Sequence, residues 1–443
     1  MKKVLKYGFV FLFSLFVLVF FSSINTYDSM WNYGFSYAFS KFQVPFLEFN
    51  MVIPGFYNML MSIGLMLCHN NIIFLIEHAV IITITFYLLE KLFQKNAWLF
   101  LVFMCFPIFI AFTVSYNFFL LFLMILIVYL EENKKSDYVI GLLLGVSILT
   151  KQSVGFFFLI PSVVICFREK KRLLKRLIGV MIPCFLYVVY LLITGSLLEF
   201  LDLCVFGLFD FAKHNTAIVP LYFVLSILLF IISIIYVIFH KKDILGYYVL
   251  AFFSIMIPIF SYYHFYVYLV AVSCLLMRVV NIKGNYIRNL SILLCLIIVC
   301  FNIIMTREEK QFLNIHNFNY LYLPEYSKDN FLILDELYHK YKKLGNTEIL
   351  SSKSVWVQIK NEEKLNYFSV YLTGNFGYDG SRKMIDRVKK IGESYYILDN
   401  NEYQNALKNN EQFEIETTKY IIKNSKIVDE VGDYIVYHYG VVE

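Results

Sequence analysis

The chain of 443 residues is 59% hydrophobic and only 16% charged, with a mean hydropathy of +0.64. Soluble domains are about half apolar and a quarter charged, so this balance excludes an ordinary soluble protein and indicates a polytopic membrane protein. The formal charge of +6 is split: residues 1–305 carry 21 Lys and Arg against 12 Asp and Glu, whereas residues 306–443 carry 18 against 21. The basic excess lies between apolar runs, which is the positive-inside pattern of a membrane protein and argues against a nucleic-acid partner.

The first apolar run, Val4 to Phe21, follows Lys2, Lys3 and Lys6. It is long for a signal-peptide core, and "FFSSINTYDS" lacks a small-x-small cleavage site, so it reads as a retained first helix. Further helices are expected at 71–90, 97–114, 117–130, 138–149, 154–167, 177–194, 218–239, 246–260, 265–280 and 289–305, about eleven with the first. Several are shorter than the roughly 20 residues of a perpendicular span, 138–149 and 154–167 most clearly. Alternating sides puts 18 Lys and Arg in the loops on one face and only Lys41, Lys151 and Lys213 on the other. That asymmetry predicts a cytoplasmic N-terminus in the plasma membrane and an extracytoplasmic C-terminal region.

The first outer loop, 25–70, does not return directly to the membrane. Trp31 to Phe42 reads as an amphipathic helix lying on the membrane surface: Trp31, Phe35, Ala38, Phe39 and Phe42 share one face, Asn32, Ser36 and Ser40 the other. A second short apolar segment, 54–68, follows Pro45. Asp28 stands just before the first of these juxtamembrane helices, as an N-cap or as a base facing a cavity. Glu48, between the two, is a solvated loop acid or a second catalytic acid.

Glu77 and His78 fall inside the second crossing, where ionisable groups are costly and usually face a cavity or a partner helix. Lys151, in "LTKQS", is an outer turn cation, either a snorkelling side chain or a partner for an anionic group. Glu199 and Asp202 share a helical face on the loop 195–217. Such acids suit Mg²⁺ or Mn²⁺, although a pair of this kind more often forms a solvated face, so metal dependence stays open. His264, in "YYHFY", belongs to an aromatic belt or lines a cleft, and with Tyr33 and Glu77 it makes up the candidate substrate cleft.

All eight cysteines lie within 1–305, without metal or disulfide spacing. Residues 306–443 form a second, soluble-looking region. Strand-like "SYYILD" (394–399) and "YIVYHY" (434–439) and helical stretches near 329–344 and 380–392 predict a small α/β domain. "GNFGYDG" (374–380) reads as a turn or a substrate-binding loop. No zinc motif, glycine-rich nucleotide loop or Walker lysine occurs.

The stretches 27–58 and 142–159 resemble the GT-C membrane glycosyltransferases, which include the protein O-mannosyltransferases and the bacterial aminoarabinose transferases. The likeness covers residues 1–305 in architecture. It implies an all-α transmembrane catalytic module with juxtamembrane helices in the first outer loop, and an enzyme moving a sugar from a polyprenyl-phosphate donor to a glycan, lipid or protein acceptor of the cell envelope, with inversion. It places Asp28 at the catalytic acid position and Lys151 at a threonine-lysine turn beside the leaving phosphate. Related enzymes tend to carry an arginine in the region where this chain has Glu77 and His78, so His78 stands as the candidate second phosphate contact or as a group orienting Asp28. Two other classes remain: a transporter or flippase of lipid-linked saccharide, and a glycan polymerase or ligase. A transporter would show internal repeats and midplane charges. A polymerase or ligase concentrates polarity in a later loop.

Overall fold

The computed structural model describes residues 2–21, 27–106, 112–214, 218–257, 259–280, 286–306, 310–409 and 413–440. Residues up to 306 form a helical body: α1 (Lys2–Phe20), α2 (Tyr27–Ser40), α3 (Phe56–Leu67), α4 (Asn71–Phe93), α5 (Trp98–Met104), α6 (Tyr116–Glu132), α7 (Asp137–Thr150), α8 (Gln152–Cys166), α9 (Lys170–Ile193), α10 (Leu197–Leu201), α11 (Gly207–His214), α12 (Pro220–Phe239), α13 (Ile244–Phe252), α14 (Tyr262–Val279) and α15 (Tyr286–Thr306). Six segments among the described residues are long and apolar enough to cross a membrane: Lys3–Phe20, Asn71–Met104, Lys170–Ile193, Pro220–Phe239, Tyr262–Val279 and Tyr286–Met305. Within Asn71–Met104 the chain breaks at Gln94, whose φ of 52° no helix interior adopts. The helices α3, α7 and α8 are apolar but shorter.

Charge is confined to the two ends of this body. At one pole, Lys6 pairs with Glu90, and Arg278 bonds Glu132 and Asp243. Arg176, whose side chain is 2% exposed, makes a two-pronged contact with Glu131 and a 2.9 Å bond to Asp137. It also donates to Ser162 Oγ at 3.1 Å. One guanidinium thus ties together α6, α7, α8 and α9, because its planar fork of donors can face four acceptors at once. Glycines allow the helices to approach that closely. A Cβ on Gly141 would meet the Arg176 carbonyl oxygen at 2.2 Å, one on Gly145 the Val180 carbonyl at 2.7 Å, and one on Gly179 the Tyr138 carbonyl at 2.4 Å. This small-residue seam joins α7 to α9.

The opposite pole carries the C-terminal region. Its elements are the hairpin β1 (Lys310–Ile315) and β2 (Phe318–Pro324), α16 (Glu325–Lys342), β3 (Thr347–Leu350), α17 (Ser354–Lys360), α18 (Gly380–Ile391), β4 (Ser394–Asp399), α19 (Asn400–Asn409), α20 (Ile415–Lys423), β5 (Ser425–Val431) and β6 (Tyr434–Tyr439). The four-stranded sheet runs β3-β4-β6-β5, with β3 parallel to β4 and the other pairs antiparallel. Alternation along the strands divides its faces. Ile349, Ile397 and Val436 join the core that continues into the body, while Leu350, Tyr396 and Leu398 join a separate core with α18 and α20. Asn317, at the hairpin tip, accepts from Tyr33 Oη at 3.1 Å and from the Asn71 N–H at 3.2 Å, and donates to the Ile359 carbonyl at 3.0 Å.

The tail changes the expected place of α2. The helix is packed between α3 and the tail, with Asp28, Trp31, Asn32 and Phe35 lining a cavity, in place of lying on a membrane surface. Its polar face meets α3, where Asn58 donates to the Asn32 carbonyl at 2.9 Å and to Ser36 Oγ at 3.3 Å. Across the helix, a Cβ on Gly34 would meet Val355 of α17 at 2.5 Å.

Replacing Arg176 by methionine should take the two-pronged partner from the buried Glu131 and leave the two acids only the half-buried Arg172, 3.8 Å from Glu131 and 3.2 Å from Asp137. Breaking a buried pair in this way costs about 3–5 kcal/mol. The expected result is a large fall in the thermal unfolding midpoint of detergent-solubilised protein. The same change together with Glu131→Leu should recover a good part of it.

Candidate functional site

At the tail-bearing pole, a cavity of about 310 Å³ opens between the body and the C-terminal region. It lies at the small end of the range for ligand sites, about 300–1,000 Å³. Its walls come from six places, two of them single residues, Tyr116 at the start of α6 and Phe211 of α11. The first turns of α2 supply Asp28, Trp31 and Asn32; the loop after α2 supplies Asn50 to Ile53; the start of α14 supplies Ser261 to His264; the tail supplies Val370, Leu372 and Asn375.

Asp28 lies in the first turn of α2 and is partly exposed, open to the cavity that it lines. Its position suits a carboxylate, because the helix N-terminus carries partial positive charge. Only its backbone carbonyl is engaged, accepting from Asn32 Nδ2 at 2.7 Å. Among the described residues, none hydrogen-bonds its carboxylate. Burial pushes the Asp28 carboxyl up to about 6, against the pull of the Lys151 charge.

Lys151 occupies the one-residue turn between α7 and α8. Its backbone, extended at φ −150°, ends one helix and starts the next. The Nζ sits 3.5 Å from Asn117 Oδ1, 3.5 Å from His264 Nε2 and 5.6 Å from the Tyr116 ring centre. No carboxylate of the described residues lies within salt-bridge reach of it. Burial pushes the ammonium down to about 8, against the opposing pull of Asp28. His264 Nδ1 faces the Ile259 carbonyl at 3.1 Å, which assigns the proton to Nδ1 and leaves Nε2 to accept from Lys151.

Three helices start here: α6 at Tyr116, α8 at Gln152 and α14 at Tyr262. No side chain caps α8 or α14. Their N-terminal dipoles and the Lys151 ammonium add to one positive corner, with Asp28 facing it. Gln152 Nε2 anchors this corner to the carbonyls of Val52 at 3.2 Å and Cys204 at 3.0 Å. Asn50 closes another wall. Its Nδ2 donates to the tail carbonyls of Val370 (3.1 Å) and Asn375 (3.2 Å), which turns Oδ1 into a buried acceptor with no partner among the described residues.

Thus Asp28, Lys151 and His264 come together, and four other expected residues do not join them. Glu48 accepts from the Val44 N–H at 2.5 Å and from Lys364 at 2.8 Å, outside the cavity. Although partial burial opposes it, those two donors hold the Glu48 carboxyl below its ordinary range. Tyr33 is fully buried against Phe74 and Phe318, one hundred degrees round the helix from the cavity-lining Asn32. His78 is buried with both ring nitrogens engaged: Nδ1 donates to the Phe74 carbonyl and Nε2 accepts from Tyr57 Oη, each at 2.6 Å. Its ring can therefore neither bind a phosphate nor orient Asp28. Glu77 turns toward α3, accepting from the Gly64 N–H at 2.9 Å.

The second acid cluster and the glycine loop also take a structural part. Asp202 accepts from Lys383 (2.5 Å) and the Tyr378 N–H (3.3 Å), and Asp210 from the Asp379 N–H (2.7 Å). The 374–380 turn is thus clasped onto the body. Among the described residues no group of His, Cys, Asp or Glu is gathered as a metal centre. The residues that sequence reasoning missed are Asn50, Asn117 and Tyr116. Asn117 carried a weak signal, since Ser115 before it is a helix N-cap. Asn50 carried none, because its partners are more than 300 residues away.

No family model, curated protein or solved structure matches this chain.

Gly377 has φ +82°, and a Cβ there would meet Asp202 Oδ2 at 2.3 Å. Gly377→Ala should therefore release the clasp and speed proteolysis within 374–380. Gly432→Ala, at φ +60° with open space around it, should strain its turn without affecting cleavage at the clasp.

Proposed function

We propose that the chain is a membrane glycosyltransferase that takes its sugar from a polyprenyl-phosphate carrier and delivers it to a hydroxyl of a cell-envelope acceptor. The observation that carries this reading is the arrangement of Asp28 and Lys151: Asp28 lines the cavity, Lys151 stands directly behind its His264 and Tyr116 wall, and neither is used up in an ion pair. In the proposed reaction the acceptor oxygen attacks the anomeric carbon and its proton passes to Asp28. The bond from the anomeric carbon to the phosphate oxygen breaks with inversion. Polyprenyl phosphate leaves with the negative charge, toward Lys151 and the three helix N-termini. The unpartnered Asn50 Oδ1 is suited to accept a sugar hydroxyl. No metal is needed for any of these steps, and a divalent cation beside the phosphate would be an addition to them.

We also propose that the chain crosses the plasma membrane eleven times, with a cytoplasmic N-terminus. Two observations support this. Lys and Arg divide 18 to 3 between alternate loops. The loops expected inside meet one another in ion pairs at one pole, as Arg278 does with Glu132 and Asp243, while the loops expected outside meet around the cavity. A Lys343→Cys variant, in a background with Cys68 and Cys300 replaced by serine, should react with an impermeant maleimide in intact cells. Lys171→Cys should not. The reverse pattern would invert the topology.

Asp28→Asn keeps the volume and loses the ability to take a proton. Loss of a general base lowers rates by about 10²–10⁴-fold. The variant should insert at wild-type levels yet fail to restore the surface glycan of a deletion strain, compared by mass spectrometry with the parent. Normal glycan with Asp28→Asn would sink the mechanism. Glu48→Gln should cost far less.

With purified enzyme and donor, kcat/KM should rise through about pH 6, as Asp28 deprotonates, and fall through about pH 8, as Lys151 does. Lys151→Arg should lower the maximum and abolish the alkaline limb, because a guanidinium keeps its proton.

A further inference from the structure

The pole opposite the cavity holds a second kind of site. A groove of about 610 Å³ runs between α1 and α15, with Trp98 of α5 at its floor. Lys3 borders it on one side and Arg288 on the other. Below them the walls are Leu5, Phe9 and Ile292. The apolar lining continues along both helices, through the exposed Leu12 and Phe16 of α1 and Leu293 and Leu296 of α15.

The charges separate this groove from its surroundings. Lys6 is neutralised by Glu90, Arg278 by Glu132 and Asp243, and Arg176 by Glu131 and Asp137. Lys3 and Arg288 have no carboxylate partner among the described residues, and Arg288 bonds only the neutral Asn289 Oδ1, at 3.2 Å. No acid lines the groove. A neighbouring hollow at the same pole has cations too, Lys241 and Lys242, but it is bordered by Glu132 and Asp243, which would repel an anion.

We infer that the α1–α15 groove binds one anionic diacyl phospholipid, its phosphate between Lys3 and Arg288 and an acyl chain along Leu5, Phe9 and Ile292. The chemistry requires both halves. A free anion would not use an apolar floor with a tryptophan, which favours the boundary between headgroup and acyl chain. A neutral lipid would leave two cations without a counter-charge. The inference is independent of the transferase reading.

The test uses the full-length protein in detergent with defined lipid added. Native mass spectrometry should show one phosphatidylglycerol retained in preference to phosphatidylcholine of the same chains. Each cation near a membrane anion contributes about a factor of five, so Lys3→Gln with Arg288→Gln should lower that preference about 20- to 30-fold. Lys241→Gln with Lys242→Gln should leave it intact. Phosphatidylglycerol brominated on its acyl chains should quench tryptophan fluorescence in the wild type, and Trp98→Phe should remove that part of the quenching. Glycerol phosphate without chains should not compete. Equal retention of the two lipids by the wild type would overturn the proposal. So would unchanged selectivity in the Lys3/Arg288 variant, provided both variants unfold at the wild-type temperature in neutral detergent. Loss of selectivity from the Lys241/Lys242 pair instead would also overturn it, placing the anion in the neighbouring hollow.

Discussion

The contact of Arg176 with Glu131 and Asp137 is the constraint from which the rest of the body follows. A buried guanidinium is tolerated only when its donors are met by acceptors of opposite charge, and here they are. Meeting them fixes the ends of α6, α7, α8 and α9 in one place. The glycine seam then sets how closely α7 and α9 lie, and Gly155 does the same for α7 and α8, since a Cβ there would meet the Ile148 nitrogen at 2.2 Å. Two helices held this rigidly must join through a very short turn. That turn is Lys151, at the far end of the same hairpin. A structural ion pair at one pole thus determines where the cation behind the cavity wall stands at the other.

The fold leaves a carboxylate on the cavity wall and an ammonium just behind that wall, unneutralised by contact. Burial disfavours both charged forms, so it raises the carboxyl of Asp28 to about 6 and lowers the ammonium of Lys151 to about 8. The two groups are therefore poised on either side of neutrality, where a base can accept a proton and a cation can still meet an anion. Direct contact would have driven the two values apart and consumed both charges. The C-terminal region contributes to this state in two ways. It packs against α2 at Gly34, and it supplies the carbonyls that orient Asn50. The region is therefore part of the cavity wall, with a core continuous with the body on one face of its sheet.

Much of this could be read from the chain itself. Long apolar runs define helices because backbone groups in an apolar medium must bond within their own segment, and that constraint is local. The strands 394–399 and 434–439 and the helix of 380–391 likewise follow from short-range patterning. Asp28 and Lys151 could be singled out because a charge is conspicuous in an apolar context. Their meeting could not be read, nor could the fate of the others. Tyr33 and Asn32 are adjacent in sequence, yet one is packed against the tail and the other faces the cavity, a difference of one hundred degrees of helix rotation that only packing settles. Glu48, Glu77, His78 and Asp202 are as polar as Asp28, but each found a partner from a distant segment: Lys364, Gly64, Tyr57 and Lys383. Whether an ionisable side chain is satisfied or left available depends on what the rest of the chain brings within hydrogen-bond distance. Composition and periodicity determined that this protein has an apolar helical body with a polar tail; the tertiary structure decided which charges remain free, because pairing is a property of contacts and not of residue type.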